Sequence, residues 1–248
     1  MTASTPARST APLRRLPWAT LTLAALACLV QTHAAWGQAL EFHRPSVNTQ
    51  GEVWRLFTAH LTHFSQDHLI WDVAALLILG LLAECENRRG FALTLAGSSL
   101  AIGLGVWALQ PQFETYRGLS GLDSALYGLV CARLLLEGWR ARHGFSVALG
   151  VLALAGFALK CGAELTSGST IFANGLDETA SASLPPRAFQ SAPAPASYAP
   201  VPLAHLLGLL SGIAVAASEK IPRRLRSPIP SGKSLADFPQ GGTGILPV

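Results

Sequence analysis

Residues 69–109 read LIWDVAALLILGLLAECENRRGFALTLAGSSLAIGLGVWAL, two apolar runs separated by a short polar stretch that contains Arg88 and Arg89. The second run, Phe91 to Leu109, approaches the roughly 20 residues with which a helix crosses a bilayer, whereas the first, Leu69 to Ala83, is shorter. A lipid-exposed chain must satisfy its backbone hydrogen bonds internally, which favours helices over open strands. The stretch therefore predicts two membrane helices.

The same pattern extends along the chain in both directions. Half of the 248 residues are hydrophobic and only 13% are charged, about half the charged fraction of a soluble domain. We predict an all-α membrane protein, a six-transmembrane-helix bundle, from six apolar segments: Leu16 to Ala35, Leu69 to Ala83, Phe91 to Leu109, Ser120 to Leu136, Phe145 to Lys160 and Pro202 to Ser218.

The basic residues indicate an orientation. They cluster at every second connection: Arg14 and Arg15 before the first segment, Arg88 and Arg89 after the second, Arg140 and Arg142 after the fourth, and Lys220, Arg223, Arg224 and Arg226 after the sixth. The positive-inside rule then places both termini in the cytoplasm. We expect a multi-pass protein of the bacterial cytoplasmic membrane, whose net charge of +4 reflects this topology and no nucleic-acid partner.

The parts between and beyond the segments differ in composition. The tails, 1–13 and 221–248, are rich in small and turn-forming residues and are predicted to be disordered and cytoplasmic. The domain between them, 14–220, holds a long connection over 162–201, which we expect to be a mobile external loop. The first segment could alternatively be a cleaved signal peptide, since Arg14 and Arg15 precede it and Ala34 and Ala35 end it.

Two potentially reactive residues are predicted to lie near one another in depth. Ser120 opens the fourth segment and His205 lies one turn inside the sixth. At 1.5 Å per residue they are about 24 Å and 20 Å above the inner ends of their helices, which agrees within one turn. Glycines and alanines on both segments would let the two helices approach closely. The pattern predicts that the two side chains meet.

A serine next to a histidine can act as a nucleophile. The hydroxyl becomes reactive when a base takes its proton, and histidine can do so near neutral pH. The backbone N–H groups around Ser120, in Gly118-Leu119-Ser120-Gly121 at the positive end of a helix, could bind the oxyanion. We predict a catalytic pair, Ser120 and His205, that needs no metal or organic cofactor.

From about Glu52 to Ala217 the residues resemble the rhomboid family of intramembrane serine proteases. The matching residues are Trp54-Arg55, His63-Phe64 with His68, Glu84, Gly118-x-Ser120-Gly121, and Ala204-His205 with Gly208 and Gly212. The resemblance implies cleavage within or beside the transmembrane segment of a single-span substrate in the bilayer. It also implies that His68, and the residue four positions after it, assist in binding the oxyanion.

Within that family the chain is most similar to the rhombosortase branch. The similarity rests on Tyr116-Arg117-Gly118-Leu119-Ser120-Gly121, on Lys160 with Glu164, and on Pro202-x-Ala204-His205. The branch is associated with C-terminal sorting tails that combine a Gly-Gly motif, a transmembrane stretch and a basic end. The resemblance therefore implies such tails as partners.

Two positions depart from the family pattern. Asp72 stands where rhomboids usually have an asparagine that helps to bind the oxyanion. Its carboxyl group would either be protonated, or orient a neighbour while His68 donates. Ser124 stands where many rhomboids stack an aromatic ring on the catalytic histidine, so the imidazole of His205 must be held in another way.

Other interpretations remain open. His60, His63, His68 and Asp72 could be metal ligands, although their spacing is irregular. Trp54-Arg55 is expected to be an interfacial anchor with its cation in water, and Lys160-Glu164 a surface ion pair. The chain could also be an inactive rhomboid-like binding protein or chaperone, or a transporter that relays protons.

Overall fold

The computed structural model describes residues 16–167 and 201–219. Its helices within these ranges are α1 (Trp18–Gln31), α2 (Ala34–Leu40), α3 (Arg44–Gln50), α4 (Arg55–Thr58), α5 (Gln66–Glu86), α6 (Arg88–Leu109), α7 (Ser120–Arg140), α8 (Gly144–Ser167) and α9 (Pro202–Ser218). Six of them, α1 and α5 to α9, coincide with the six predicted segments. The all-α membrane class is confirmed.

Not all six helices are equally suited to crossing a bilayer. Helices α5, α6 and α8 are long and apolar enough, and α1 with α2 forms a pair bent by 115° that could be a fourth span. Helix α9 is apolar but shorter, and α7 carries charged residues. In α8 only 11% of the apolar window is buried, so most of its surface is available to lipid. The count of six spans stays a prediction.

Side-chain caps set where the long helices begin. The Asn87 carboxamide oxygen accepts from the N–H groups of Arg89 and Gly90 at 3.1 and 3.2 Å, so α6 starts with only Asn87 between it and the end of α5. The Ser65 hydroxyl accepts from the N–H of His68 at 3.1 Å and starts α5. Such caps satisfy donors that have no partner inside the helix.

The first helix packs against α5 and is an integral part of the folded bundle. Buried Glu84, at the end of α5, accepts from the N–H of Thr20 at 2.8 Å, from the Thr20 hydroxyl at 2.8 Å and from the N–H of Ala19 at 3.2 Å. Four residues earlier, Gly80 lies directly against the side chain of Thr20. A carboxylate of α5 thus caps the positive end of α1.

Helices α7 and α9 meet along the predicted stripe of small residues. A Cβ on Gly208 would overlap the carbonyl oxygen of Gly121, and a Cβ on Gly212 would overlap that of Ala125. Only glycine permits this approach of two backbones. The predicted close contact of the fourth and sixth segments is confirmed.

Two arginines hold the connection between α1 and α5. Arg44 donates to four carbonyl oxygens at and beyond the end of α6, those of Val106, Trp107, Gln110 and Phe113, at 2.6 to 3.0 Å. The same region pairs a short antiparallel ladder, β1 (Phe42–His43) with β2 (Thr115–Tyr116). The second arginine, Arg55, donates to the carbonyl oxygens of Gln38 and Glu41 at 2.8 and 2.9 Å.

The expectation for Arg55 was wrong. We expected its cation to reach water beside Trp54, but Arg55 is only 8% exposed whereas Trp54 is 49% exposed. The buried guanidinium donates to carbonyl oxygens of the connection between α1 and α5 and pairs with Glu52 at 2.5 Å. A charge with several hydrogen-bond partners can be buried in this way.

The boundary of the predicted external loop also changes. Helix α8 continues to Ser167, beyond the predicted segment end at Lys160, so the first residues of the predicted 162–201 loop are helical. The remainder of that loop, 168–200, lies outside the described residues. The predicted disordered tails, 1–13 and 221–248, lie outside them as well.

Candidate active site

Ser120 is the first residue of α7, and the chain reaches it through a glycine that no other residue could replace easily. Gly118 has a φ of +123°, a conformation that favours glycine. A Cβ there would lie 2.8 Å from Cε1 and 2.9 Å from Nε2 of His68. Gly118 thus lets the backbone pass close to the His68 ring just before the serine.

His205 meets Ser120 across the contact of α7 with α9. Its Nε2 lies 3.1 Å from the Ser120 hydroxyl oxygen, within hydrogen-bond distance. The two residues are 85 positions apart in sequence, so the helix packing alone brings them together. The predicted contact is present in the structure, and the catalytic roles of both residues remain a proposal.

Ser124 lies one turn after Ser120 and does not touch His205 through its hydroxyl. Its Oγ donates to the carbonyl oxygen of Ser120 at 2.7 Å, and the residue is buried. A serine that bonds to its own helix leaves the imidazole to be oriented from elsewhere.

Glu164 of α8 provides the contact that the sequence analysis missed. Its Oε2 lies 3.4 Å from Nδ1 of His205, the ring nitrogen that faces away from Ser120. Its Oε1 accepts from Lys160 at 2.7 Å. The expected ion pair is present, but Glu164 is 1% exposed, so the expectation of a surface pair was wrong.

A second polar cluster lies beside Gly118. One oxygen of Asp72, Oδ2, is 3.3 Å from Nε2 of His63 and 3.3 Å from Nε2 of His68. Of the two alternatives for Asp72, this is the arrangement that orienting a neighbour requires. Burial lowers the pKa of His63, and the Asp72 carboxyl group opposes that shift.

The N-terminus of α7 presents backbone N–H groups that have no acceptor within the helix. The first N–H groups of a helix have no partner four residues back, which applies here to Ser120 and Gly121; Leu119 is the N-cap residue. The N–H of Gly118 instead donates to the carbonyl oxygen of Ala59 at 3.2 Å. Gly118, one of the residues predicted to bind the oxyanion, therefore contributes through its backbone conformation. Its N–H group is already bonded to Ala59.

Two buried aromatic side chains join the loops on either side of the site. The ring centroids of His60 and Tyr116 are 5.8 Å apart in an edge-to-face arrangement. Desolvation lowers the pKa of His60 from 6.5 to about 4, against hydrogen bonds that the ring makes to the backbone of Ser99 and Gly118. Burial also raises the pKa of Tyr116, with smaller contributions from Asp72 and Asp123.

Within residues 16–167 and 201–219, one group of side chains could geometrically hold a metal ion. Cys161, Glu164 and His205 each place one ligand atom within 4.8 Å of the others. Of the four residues considered as ligands from sequence, His63, His68 and Asp72 do come together, whereas Nε2 of His60 faces the carbonyl oxygen of Ser99 at 3.4 Å.

Comparison with known proteins agrees with this geometry. The sequence model of the Rhomboid domain matches residues 50–183, a range that includes Ser120, His68 and Glu164 and stops before His205. A search of curated proteins found no match. Rhomboids are integral membrane proteins, generally serine proteases that act on transmembrane substrates within the bilayer. Because the match covers more than half of the chain, this protein belongs to the rhomboid family.

Proposed function

We propose that the chain is an active serine endopeptidase of rhomboid type, which cleaves within or beside the transmembrane segment of a single-span substrate. The observation that carries the proposal is the 3.1 Å contact between Nε2 of His205 and the Ser120 hydroxyl. A nucleophile within hydrogen-bond reach of a base is the arrangement that acyl transfer requires. Both termini in the cytoplasm, six spans and a bacterial inner-membrane location belong to the same proposal.

The reaction follows from the two side chains. His205 accepts the Ser120 proton on Nε2 while Oγ attacks the scissile carbonyl carbon, and the carbonyl oxygen becomes an oxyanion near the start of α7. The imidazolium then returns that proton to the leaving amine as the peptide C–N bond breaks. Water, deprotonated by His205, hydrolyses the acyl-enzyme and regenerates Ser120.

The cluster around Asp72 fits the oxyanion side of this reaction. A free carboxylate would repel an oxyanion, but Oδ2 of Asp72 lies 3.3 Å from Nε2 of each of two imidazoles, those of His63 and His68. Asp72 would then fix the ring of His68 next to Gly118, where His68 can assist the backbone donors. Leu119 and Gly121 would contribute through their backbone.

The finer proposal is that the chain is a rhombosortase, which processes C-terminal sorting tails with a Gly-Gly motif. The similarity to that branch includes Tyr116 to Gly121, Lys160 and Glu164. In the structure these residues surround one site: Glu164 faces His205, and the Tyr116 hydroxyl would lie 3.2 Å from a Cβ on Gly121. Residues that are far apart in sequence but shared with that branch thus lie at the same site, which supports the rhombosortase assignment.

The test is cleavage of a tagged single-span substrate by reconstituted protein. We expect activity in the wild type and none above background in Ser120→Ala and His205→Ala, because each removes one partner of the proton transfer. Ser98→Ala is the matched control, since Ser98 is also buried but donates to the Thr94 carbonyl of its own helix. Cleavage that survives Ser120→Ala would overturn the proposal.

The same assay separates the finer proposal from its alternatives. Substrates with and without the Gly-Gly motif, otherwise identical, should differ in rate, and mass spectrometry should place the cut at that motif. An equal rate for both would remove the rhombosortase assignment alone. A folded wild type that binds the substrate and leaves it intact would instead indicate a rhomboid-like binding protein or chaperone.

A further inference from the structure

We infer that Glu164 is a positioning residue that completes a Ser120–His205–Glu164 triad, in which Lys160 holds the outer oxygen of the carboxylate. The inference rests on the proposed function and extends it, because the dyad proposed from sequence left the imidazole without an orienting partner. It assigns a role to a side chain that comes from a third helix, α8.

The first argument is the geometry of the ring. Nε2 of His205 faces Ser120 at 3.1 Å, and Nδ1, on the other edge of the ring, faces Oε2 of Glu164 at 3.4 Å. Nδ1 and Oε2 are both buried, and neither has a closer hydrogen-bond partner within residues 16–167 and 201–219. Catalytic hydrogen bonds are often long before substrate binds. Two otherwise unpaired buried atoms that face each other are therefore natural partners.

The second argument is the proton arrangement that this contact imposes. A carboxylate accepts and does not donate, so it selects the tautomer with the proton on Nδ1. That tautomer leaves the lone pair of Nε2 directed at the Ser120 hydroxyl, as a general base requires. When Nε2 takes the serine proton, the Nδ1 proton stays in place and Glu164 stabilises the imidazolium.

The third argument is the charge of Glu164 itself. A carboxylate buried to this degree is costly unless it is paired and hydrogen-bonded. Lys160, one turn earlier on α8, donates to Oε1 at 2.7 Å and remains partly exposed at its own end. Lys160 therefore compensates the charge through one oxygen and leaves the other for His205.

Lys160 also argues against a metal ion at this place. Cys161, Glu164 and His205 could gather around a cation, but the ammonium group already occupies Oε1 of Glu164 at 2.7 Å. A divalent ion beside it would meet a like charge. The triad uses the same carboxylate without this conflict.

The main experiment compares Glu164→Gln with wild type in kcat, KM and pH profile. Gln keeps the size and can still accept from Nδ1, but it has no charge to stabilise the imidazolium. We expect kcat to fall about 100-fold with little change in KM. The acidic limb of kcat/KM should move to lower pH, because the protonated ring loses its stabilising charge, and Glu164→Asp should recover part of kcat.

Other titratable groups near the pair are the same in both proteins. Lys160 and Cys161 come from α8, whereas Ser120 and, one turn later, buried Asp123 come from α7. Helix α6 also packs against α9 but carries charge only in its first turn. A shift between wild type and Glu164→Gln therefore reports on the Glu164 carboxylate.

Glu84→Gln is the matched structural control. Glu84 is also a buried glutamate, but it caps α1, so its loss should reduce stability and leave the acidic limb in place. A chelator should leave wild-type cleavage unchanged; inhibition by the chelator would overturn the triad in favour of a metal at Cys161, Glu164 and His205.

A readout without proteolysis distinguishes this inference from the proposed function. In protein with ¹⁵N-labelled histidine, the signal of His205 is assigned by its loss in His205→Ala. We expect a protonated Nδ1 in the wild type and a weaker preference in Glu164→Gln, because an amide can either accept from Nδ1–H or donate to an unprotonated Nδ1. If that signal is present but no Ser120-dependent cleavage occurs, the proposed function fails and the contact stands. An unprotonated Nδ1 in the wild type, or wild-type kcat in Glu164→Gln, would overturn the inference.

Discussion

Asp72 differs from the asparagine usual in the family by one atom, a carboxylate oxygen in place of the amide nitrogen, and this atom changes what the residue can do. In place of an amide that would donate to an oxyanion, the chain has a carboxylate oxygen that lies 3.3 Å from two imidazoles. The side chain cannot act as the amide would, because a carboxylate accepts hydrogen bonds and has no N–H to donate. We propose that its contribution is to hold the rings of His63 and His68.

This arrangement makes Asp72→Asn informative although it restores the usual residue of the family. We expect turnover to fall by roughly 10- to 100-fold, by analogy with the loss of a carboxylate that orients a metal-ligating histidine. Asp67→Asn, a carboxylate in the first turn of the same helix, should keep wild-type turnover. The measurement is kcat on a single-span substrate; an unchanged kcat in Asp72→Asn would contradict the role.

At the residue scale, the sequence could predict contacts between residues of the same helix, because their spacing determines which side chains meet. Lys160 and Glu164 are four apart, so their ion pair was predictable from a helix alone. The contact of Glu164 with His205 was not, because it depends on how α8 packs against α9. The burial of Arg55 was likewise hidden, since its carbonyl partners belong to Gln38 in α2 and to Glu41, the residue after α2.

At the scale of elements, the contact of α7 with α9 determines where the reactive groups lie. Gly208 and Gly212 bring the α9 backbone against Gly121 and Ala125 of α7. Ser120 begins one of these helices and His205 lies on the other. Any increase in the distance between the two backbones therefore increases the distance between the hydroxyl and the imidazole.

Gly212→Ala tests this dependence. The added methyl group would overlap the Ala125 carbonyl oxygen, so we expect a loss of about 1–3 kcal/mol in stability and a loss of cleavage. Gly156→Ala on α8 is the matched control, because a Cβ there would meet nothing within 4 Å. Thermal unfolding and cleavage of both variants provide the measurement, and equal behaviour of the two would contradict the close contact.

The helices themselves were predictable from hydropathy, and their exact ends were not. Lipid exposure imposes long apolar runs, so all six long helices lie where the sequence placed them. The first predicted segment runs through Thr32, yet the structure bends by 115° after α1. Helix α8 continues past Lys160 because polar Glu164 is paired inside the bundle, which composition alone could not show.

At the scale of the whole molecule, stability should depend on pH through buried neutral histidines. The pKa of His60 is about 4 in the folded protein against 6.5 ordinarily, so the unfolded chain takes up a proton first. The contribution of His60 to the free energy of unfolding is fully present above pH 6.5. It decreases by on the order of 3 kcal/mol as the pH falls towards 4. The lowered pKa of His63 acts in the same direction.

We therefore expect His60→Gln to flatten the dependence of unfolding on pH between about 7 and 4. The measurement is the unfolding midpoint in detergent or bilayer at several pH values, judged by slope, since the substitution also changes packing. His143→Gln, at an exposed position after α7, should keep the wild-type slope. A slope in His60→Gln as steep as in the wild type would exclude His60 as the source.

The cap that Glu84 provides for α1 has a consequence for the order in which the chain is assembled. The N–H groups of Ala19 and Thr20 are separated from this carboxylate by 65 and 64 residues. During synthesis the first helix therefore exists before its acceptor has been made. Its opening turn must rely on water until α5 has been completed and inserted, so α1 is translated before α5 but is finished after it.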